Sequence, residues 1–207
     1  MSSPPVVPAH RPSGGGRRDA IIDVAADRFA QQGFHGVSMR DIAKANGSSV
    51  AALYNHFASK DDLLLAVGER FFSVFVDHLE AAAAGPGDGL SRFFSMVRIT
   101  FSDGCTYRNE YLTISRDNRH VATVPELAPL VSARNACVAI WNRVLLEGIR
   151  DGSIQPGLDP AAVVWIVFSA VTGMVDVDRA AVFTGAFAQD PFRSLSALLQ
   201  DGLKPRS

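Results

Sequence analysis

Apolar residues recur every three to four positions along most of this chain, which is the spacing of amphipathic helices. The clearest stripe predicts a first helix from Arg17 to Gln32 and consists of Ile22, Ala25, Ala26 and Phe29. Gly33 follows it, and glycine readily takes the left-handed conformation in which helices end. No segment shows the strict alternation of a half-buried strand. The pattern predicts an all-α protein.

A short second helix is predicted to begin after Ser38. Ser38 and Asp41 form a capping box of the S-x-x-D kind, in which each side chain accepts a hydrogen bond from an unpaired backbone N–H. The inner face of this helix consists of Met39, Ile42 and Ala43. The Asn-Gly pair at 46–47 ends the helix.

A third, very short helix follows at 49–54, with Ser48 or Ser49 as its cap. A second S-x-x-D box at 59–62 opens a long fourth helix that reaches about residue 84. The first helix, the two short ones and the glycine-containing turn between them make the helix-turn-helix arrangement.

The rest of the chain is predicted to be helical as well. Asp88 follows a Gly-Pro-Gly break, and Asp159 precedes a proline; both are strong helix starts. The helices predicted here lie at about 88–102, 106–119, 130–150, 160–178 and 191–200. Residues 161–175 carry no charge, but a membrane span needs roughly 18 apolar residues, so a buried helix is predicted there.

Charge is distributed unevenly along the chain. The net charge is −1, yet residues 1–60 carry seven Lys and Arg against four Asp, and the remainder carries thirteen basic against seventeen acidic residues. A polyanion is therefore attracted to the first part and repelled by the second.

Composition narrows the functional classes further. Cys105 and Cys137 have no CxxC spacing and no histidines near them, which indicates reduced thiols, no metal site and a cytoplasmic protein. No phosphate-binding loop, nucleophile elbow or zinc-protease motif is present, so neither an enzyme nor a cofactor is expected. Residues 1–15 lack a secretion signal and are rich in Pro, Gly and Ser, which predicts a disordered tail.

The segment GVSMRDIAKANGSSVAALYNHFASKDDLL at 36–64 resembles the signature of the tetracycline-repressor (TetR) family of transcriptional regulators. The upstream segment RRDAIIDVAADRFAQQGFHG resembles the first helix of that family, and the resemblance covers about residues 17–70. It implies a DNA-binding domain at 16–67, with its helix-turn-helix at about 38–57. It also implies a helical ligand-sensing and dimerisation domain at 68–207.

The resemblance implies a double-stranded DNA operator as a partner. Ser38, Tyr54, His56 and Lys60 are then expected to contact phosphates, as helix N-termini and basic side chains do. The third helix is expected to enter the major groove. The full set of expected DNA contacts is Arg17, Arg18, Ser38, Ser48, Ser49, Val50, Ala51, Tyr54, Asn55, His56 and Lys60.

Two departures from the family pattern affect the operator. This chain has Asn46, Gly47 and Ser48 where members often carry Ala, Gly and Val. It also has Val50 where members often carry a basic residue. Base reading at Val50 is then expected to be apolar contact, for example with a thymine methyl group.

The segment EGIRDGSI at 147–154, followed by Asp159 and Pro160, resembles the junction between the two helices of the family's dimer interface. The resemblance therefore implies that the second domain forms a homodimer through helices at about 130–150 and 160–178. The last of these is apolar almost all round, so it must be covered on more than one side. Its small residues, such as Gly173, permit close helix approach. An ordinary buried helix within a monomer is the alternative.

A small hydrophobic effector is expected in the second domain. Its aromatic residues suit an apolar ligand, and Arg98 or Arg134 suits a carboxylate or phosphate on it. The sensor region also loosely resembles relatives that sense acyl-CoA thioesters, and this resemblance implies an acyl-CoA-like effector. The candidate ligand-binding residues are Phe75, Phe94, Val97, Arg98, Phe101, Tyr111, Arg134 and Trp141.

The expected function is therefore a ligand-responsive regulator that binds a pseudo-palindromic operator and leaves it when the effector binds. The alternative is a helical protein-interaction module of the same fold that does not bind DNA specifically. A salt-dependent DNA titration separates the two, because phosphate contacts give a steep dependence on salt.

Overall fold

The computed structural model describes residues 16–176 and 191–205. The predicted tail at 1–15 lies outside these residues, as do positions 177 and 178 at the end of one predicted helix. In the described ranges every regular element is a helix, so the predicted all-α class is confirmed. The helices are α1 (Arg17–Gln32), α2 (Met39–Ala45), α3 (Val50–Tyr54), α4 (Lys60–Ala83), α5 (Gly89–Thr106), α6 (Arg108–Arg116), α7 (Asn118–Thr123), a 3-10 turn (Pro125–Leu127), α8 (Ala128–Asp151), α9 (Pro160–Val175) and α10 (Pro191–Leu203).

The first three helices form a small unit around the stripe predicted on α1. Its core consists of Ile22, Ala26, Phe29, Ile42, Leu53 and Phe57, all of which are buried. Both parts of the predicted capping box on α2 are present, since the Ser38 hydroxyl accepts from Asp41 N–H and Asp41 accepts from Ser38 N–H. Ser49, rather than Ser48, caps α3 by accepting from Ala52 N–H.

The long helix α4 leaves this unit and becomes part of the second one, where it packs against α5 and α8. Helices α5 and α8 touch each other backbone to backbone. A Cβ atom on Gly89 would lie 2.2 Å from the Cα of Gly148. Asp151, at the end of α8, accepts from Gly89 N–H at 2.8 Å and so fixes the start of α5.

One predicted helix is wrong in its extent. The segment predicted as a single helix at 106–119 is split between α6 and α7, and α5 continues to Thr106 instead of ending at residue 102. The break lies at Asp117, whose carboxylate accepts from the backbone N–H of Phe34 at 3.3 Å. The turn between α6 and α7 therefore makes a hydrogen bond to the helix-turn-helix unit, with a residue that lies 83 positions earlier in the sequence.

The apolar helix α9 buries one side and exposes the other. Val163, Val164, Val167 and Val171 are buried, whereas Trp165 is 71 % exposed and Ile166 is 48 % exposed. In the described part of the chain, no helix combines the length and the apolar character that crossing a membrane requires.

Candidate DNA interface and effector cavity

The surface of α3 and the residues that follow it is polar and open to solvent. Of the expected DNA contacts, Ser49, Ala51, Tyr54, Asn55 and His56 are exposed. Tyr54 is a large ring that is 52 % exposed. Such a surface can approach a groove closely, because small side chains surround one aromatic ring and two polar groups.

Two of the expected DNA contacts on this segment, Val50 and Ser48, make contacts within the protein. Val50 is half-buried and packs against the core of the unit. The Ser48 hydroxyl donates to the carbonyl oxygen of Ala43 and receives a hydrogen bond from the Asn46 amide, both at 3.4 Å, so it belongs to the turn between α2 and α3.

Lys60 is held inside the unit. Its ammonium group donates to the carbonyl oxygens of Phe34 at 2.9 Å and Val37 at 2.8 Å, and it lies 4.2 Å from the centre of the Phe34 ring. Burial lowers the pKa of this ammonium group. Two of its three N–H donors thus hold the connector before α2, which leaves one for a phosphate.

The remaining expected contacts lie around the short helices. Ser38 is exposed at the N-terminus of α2. Arg17 is exposed, and the Arg18 guanidinium lies 4.9 Å from the centre of the Phe57 ring. Sequence reasoning did not select two exposed cations of α2, Arg40 in its first turn and Lys44 in its last, although their place on a helix of the helix-turn-helix was the available signal.

The second unit contains a cavity of about 680 Å³ between α4, α6, α8 and α9, a size typical of small-molecule sites. Its lining consists of Phe71, Phe72, Phe75, Tyr111, Ile114, Ser115, Asn118, Arg134, Cys137, Val138, Ala161, Val164, Trp165, Phe168, Ser169, Thr172, Gly173 and Asp176. Three of the expected ligand contacts are among them: Phe75, Tyr111 and Arg134.

The other five expected ligand contacts do not line the cavity. Val97 and Trp141 are buried in the core, and the Trp141 ring packs edge-on against Phe93 and Phe168. Phe101 stacks on Phe192 of α10 at 5.3 Å between ring centres. Arg98 is exposed and Phe94 is half-buried against the core. Positions on α5 were chosen for their aromatic content, but α5 faces the core behind the cavity.

The polar groups of the cavity differ in how well they are satisfied. The Tyr111 hydroxyl is hydrogen-bonded to the Thr172 hydroxyl at 2.9 Å, and burial raises the pKa of Tyr111 to about 12. Burial likewise raises the pKa of the Cys137 thiol to about 12, so this thiol stays protonated at neutral pH. Burial lowers the pKa of the Arg134 guanidinium, whose described hydrogen bond is a long one of 3.5 Å to the Ile114 carbonyl.

Helix α6 joins the cavity to the helix-turn-helix unit. Arg116 donates to the Ala30 carbonyl oxygen in the last turn of α1 and also pairs with Asp176 of the cavity at 2.6 Å. Further along the same seam, the Arg70 guanidinium pairs with Asp23 at 2.8 Å and with the buried Glu110. Within the described residues, no cluster of His, Cys, Asp and Glu that could hold a metal ion is found.

Comparison with known proteins adds to this geometry. Residues 21–67 match the family model described as bacterial regulatory proteins, tetR family. The transcriptional activator FasR of Mycolicibacterium smegmatis is 30% identical over 164 residues, which cover 72% of this chain and 74% of that protein. The transcriptional repressor KstR2 of Rhodococcus jostii is 29% identical over 155 residues, covering 73% and 75%.

Solved structures show the same fold. The structure of AibR in complex with isovaleryl coenzyme A and operator DNA matches with a TM-score of 0.77 and 19% identity, over 93% of this chain and 100% of that one. The ketosteroid transcriptional regulator KstR2 of Mycobacterium tuberculosis matches with a TM-score of 0.76 and 20% identity, over 92% and 96%.

Proposed function

This chain belongs to the tetR family of bacterial regulatory proteins, and we propose that it is a ligand-responsive transcriptional regulator that binds operator DNA as a homodimer through the exposed surface of α3. The observation that carries the proposal is the open face formed by Ser49, Ala51, Tyr54 and Asn55 on a helix seated firmly on the unit's core. We further propose that it acts as a repressor in the cytoplasm, without catalysis.

The proposed DNA interface has two kinds of contact. Ala51 and Asn55 meet base edges in the major groove, and the half-buried Val50 offers at most an apolar edge. Ser38, Tyr54 and His56 meet phosphates, together with the third N–H of Lys60. Arg17 and Arg18 follow the backbone beside the groove. The cations Arg40 and Lys44 add attraction that does not depend on sequence.

A single short recognition helix holds DNA weakly, so two copies are needed. The exposed apolar residues Trp165 and Ile166 on α9, with Leu198 on α10, offer a surface that a second copy can cover. Two recognition helices in such a homodimer would lie roughly 34–36 Å apart and read a pseudo-palindrome.

The cavity is the proposed effector site. Its walls are mostly aromatic and aliphatic, which suits an apolar body. Arg134 lines it without a carboxylate partner among the described residues, so an anionic group on the effector would supply one. An acyl-CoA-like molecule has both features, and AibR binds isovaleryl coenzyme A. Arg98 lies outside the lining, so we assign it no part in this contact.

Genome-wide DNA capture with the purified protein tests the proposal. We expect a small number of enriched sites that share a pseudo-palindrome, and binding to them should weaken steeply as salt is raised. Enrichment without a shared sequence, together with a flat salt dependence, would instead favour a protein-interaction module.

A further inference from the structure

Two histidines lie at the seam between the helix-turn-helix unit and the second unit. His120, on α7, bonds through Nε2 to the carboxylate of Asp61, in the first turn of α4, at 2.5 Å. The centre of its ring lies 4.4 Å from that of the Phe34 ring and 5.0 Å from that of the His35 ring, which it meets edge-on. One imidazole of the second unit therefore contacts both α4 and the connector between α1 and α2, residues 34–37.

Helix α7 also contacts the cavity. Asn118, its first residue, lines the cavity, and His120 is its third residue. Asp117, just before the helix, accepts from the Phe34 N–H at 3.3 Å and so bonds the connector a second time. A single short helix thus lies between the cavity and the two elements that position α2 and α3.

Protonation strengthens the bond between His120 and Asp61. Histidine is the side chain that gains and loses a proton near neutral pH. The neutral ring can offer one N–H to the carboxylate, whereas the imidazolium adds the attraction of opposite charges at contact distance. The His120 side chain is 18% exposed and the Asp61 side chain 33%, so solvent and salt screen this pair only in part.

Other charges surround this imidazole in the described part of the chain. Asp117 favours a positive charge on the ring, whereas Lys60 and His35 oppose it. The remaining charged groups on the neighbouring elements have no described bond to His120: Asp62 on α4, Arg116 on α6, Arg119 on α7, Glu126 in the 3-10 turn and Arg134 on α8. The Asp61 contact outweighs these groups, because electrostatic attraction falls with distance and salt screens the more distant charges most.

We propose that His120 is a proton-sensitive clasp that ties the second unit to α4 and to the connector. As the pH falls through the range in which the imidazole takes up its proton, the clasp tightens; as the pH rises through that range, it loosens. A helix-turn-helix unit that is already held in place loses less freedom when it binds DNA, so operator affinity rises with acidity. This effect on the operator rests on the proposed function, whereas the clasp itself does not. Protons are then a second input to the regulator, beside the effector.

Hydrogen–deuterium exchange tests the clasp without DNA. After correction for intrinsic exchange rates, the amides at 33–37 and 60–64 should be about two- to fivefold better protected at about pH 5.5 than at about pH 8, the size of one partly screened ion pair. His120→Gln keeps an N–H donor for Asp61 but cannot take up a proton. Its protection should therefore be the same at both pH values.

His78→Gln is the matched control for exchange. His78 also pairs with a carboxylate, that of Asp103 at 2.9 Å, but this pair joins α4 to α5 within the second unit. The variant should keep the pH difference at 33–37 and 60–64. A thermal melt of each variant at both pH values checks that it is folded.

Fluorescence anisotropy with a captured operator tests the effect on DNA binding. Operator affinity should be about two- to fivefold higher at about pH 5.5 than at about pH 8, and His120→Gln should remove this gain. His56 is exposed beside α3 and can itself titrate against a phosphate, so the comparison is repeated in a His56→Gln background. The effect of His120→Gln should persist there.

The outcomes separate the clasp from the proposed function. Equal protection of the wild-type protein at both pH values, or a pH difference that survives His120→Gln, would overturn the clasp. A pH-dependent protection with no gain in operator affinity on acidification would overturn its effect on DNA binding. If no operator is bound at either pH while the exchange result holds, the proposed function is contradicted and the clasp is not.

Discussion

Lys60 holds the connector between α1 and α2 in place, because its ammonium group donates to the buried residues Phe34 and Val37. Lys60→Met keeps the aliphatic stem and removes the donor. We expect the free energy of unfolding to fall by about 1–3 kcal/mol, since the carbonyl groups of Phe34 and Val37 both lose a charged donor. Urea denaturation followed by circular dichroism measures the change.

Lys44→Met is the matched control, because Lys44 is an exposed lysine of the same unit. It should change the free energy of unfolding by no more than about 0.5 kcal/mol, as surface substitutions usually do. Equal losses in the two variants would mean that Lys60 acts through charge alone. If the third N–H of Lys60 contacts a phosphate, Lys60→Met should also lower the slope of log DNA affinity against log salt concentration by about one.

Tyr54 is the last residue of α3, the proposed recognition helix, and its side chain is half exposed. Tyr54→Phe should weaken binding to all DNA sequences by a similar factor, about five- to tenfold for one hydrogen bond to a charged phosphate. Fluorescence anisotropy with a captured operator and with a scrambled duplex measures both affinities. Asn55→Ala is the contrasting variant and should weaken the operator more than the scrambled duplex. A change of base preference in Tyr54→Phe would refute its phosphate contact.

Helices α5 and α8 cross at Gly89 and Gly148, where the two backbones are in contact. A methyl group on Gly89 would overlap the Gly148 backbone, which cannot rotate away as a flexible side chain can. Gly89→Ala should therefore push the helices apart and lower the free energy of unfolding by about 3 kcal/mol. Thermal unfolding of the purified variant measures the loss.

Gly202→Ala is the matched control, because it adds the same single methyl group to a glycine within a helix. Gly202 lies in α10 with open space where a Cβ would stand, so alanine should be neutral or stabilise the helix by up to about 1 kcal/mol. If the Gly89→Ala variant were as stable as Gly202→Ala, the backbones of α5 and α8 would have to lie further apart than the structure shows.

The elements that periodicity and caps define were predictable. The bounds of α1 and the capping box at Ser38 agree with the structure because both depend on residues within one or two helical turns. The break at Asp117 was not predictable in this way. It coincides with a hydrogen bond from Phe34, and local patterning carries no information about a partner so far away.

At the scale of the whole molecule, the cavity was predictable only in part. Phe75, Tyr111 and Arg134, which were selected as aromatic or charged residues of a helical sensor, line the cavity, whereas the positions selected on α5 by the same argument do not. Asp176 and Trp165 were missed, since their place in the wall depends on how α9 packs against α5, α8 and α6. The signal that could have found Trp165 is the i, i+4 stripe of Ala161, Trp165, Ser169 and Gly173.

Helix α4 is continuous from the helix-turn-helix unit to the cavity, with Lys60 at its first turn and Phe75 in the cavity wall. These two residues are roughly 22 Å apart along the helix axis, at about 1.5 Å per residue. An effector that favours a different tilt of α4 would therefore move the two recognition helices of a dimer off their spacing. The effect on DNA affinity is limited to the difference in effector affinity between the two tilts, typically about 5- to 150-fold.

Thermodynamic reciprocity makes this coupling between effector binding and operator binding testable. If the effector weakens operator binding by some factor, the operator must weaken effector binding by the same factor. The measurement is a calorimetric titration of an effector, identified from the genes beside the captured operator, with and without saturating operator DNA. A scrambled duplex of equal length is the control, because it adds the charge of DNA without the specific contacts. Equal effector affinities with operator and with scrambled duplex would show that the cavity does not control DNA binding, since no coupling free energy would then link the two sites.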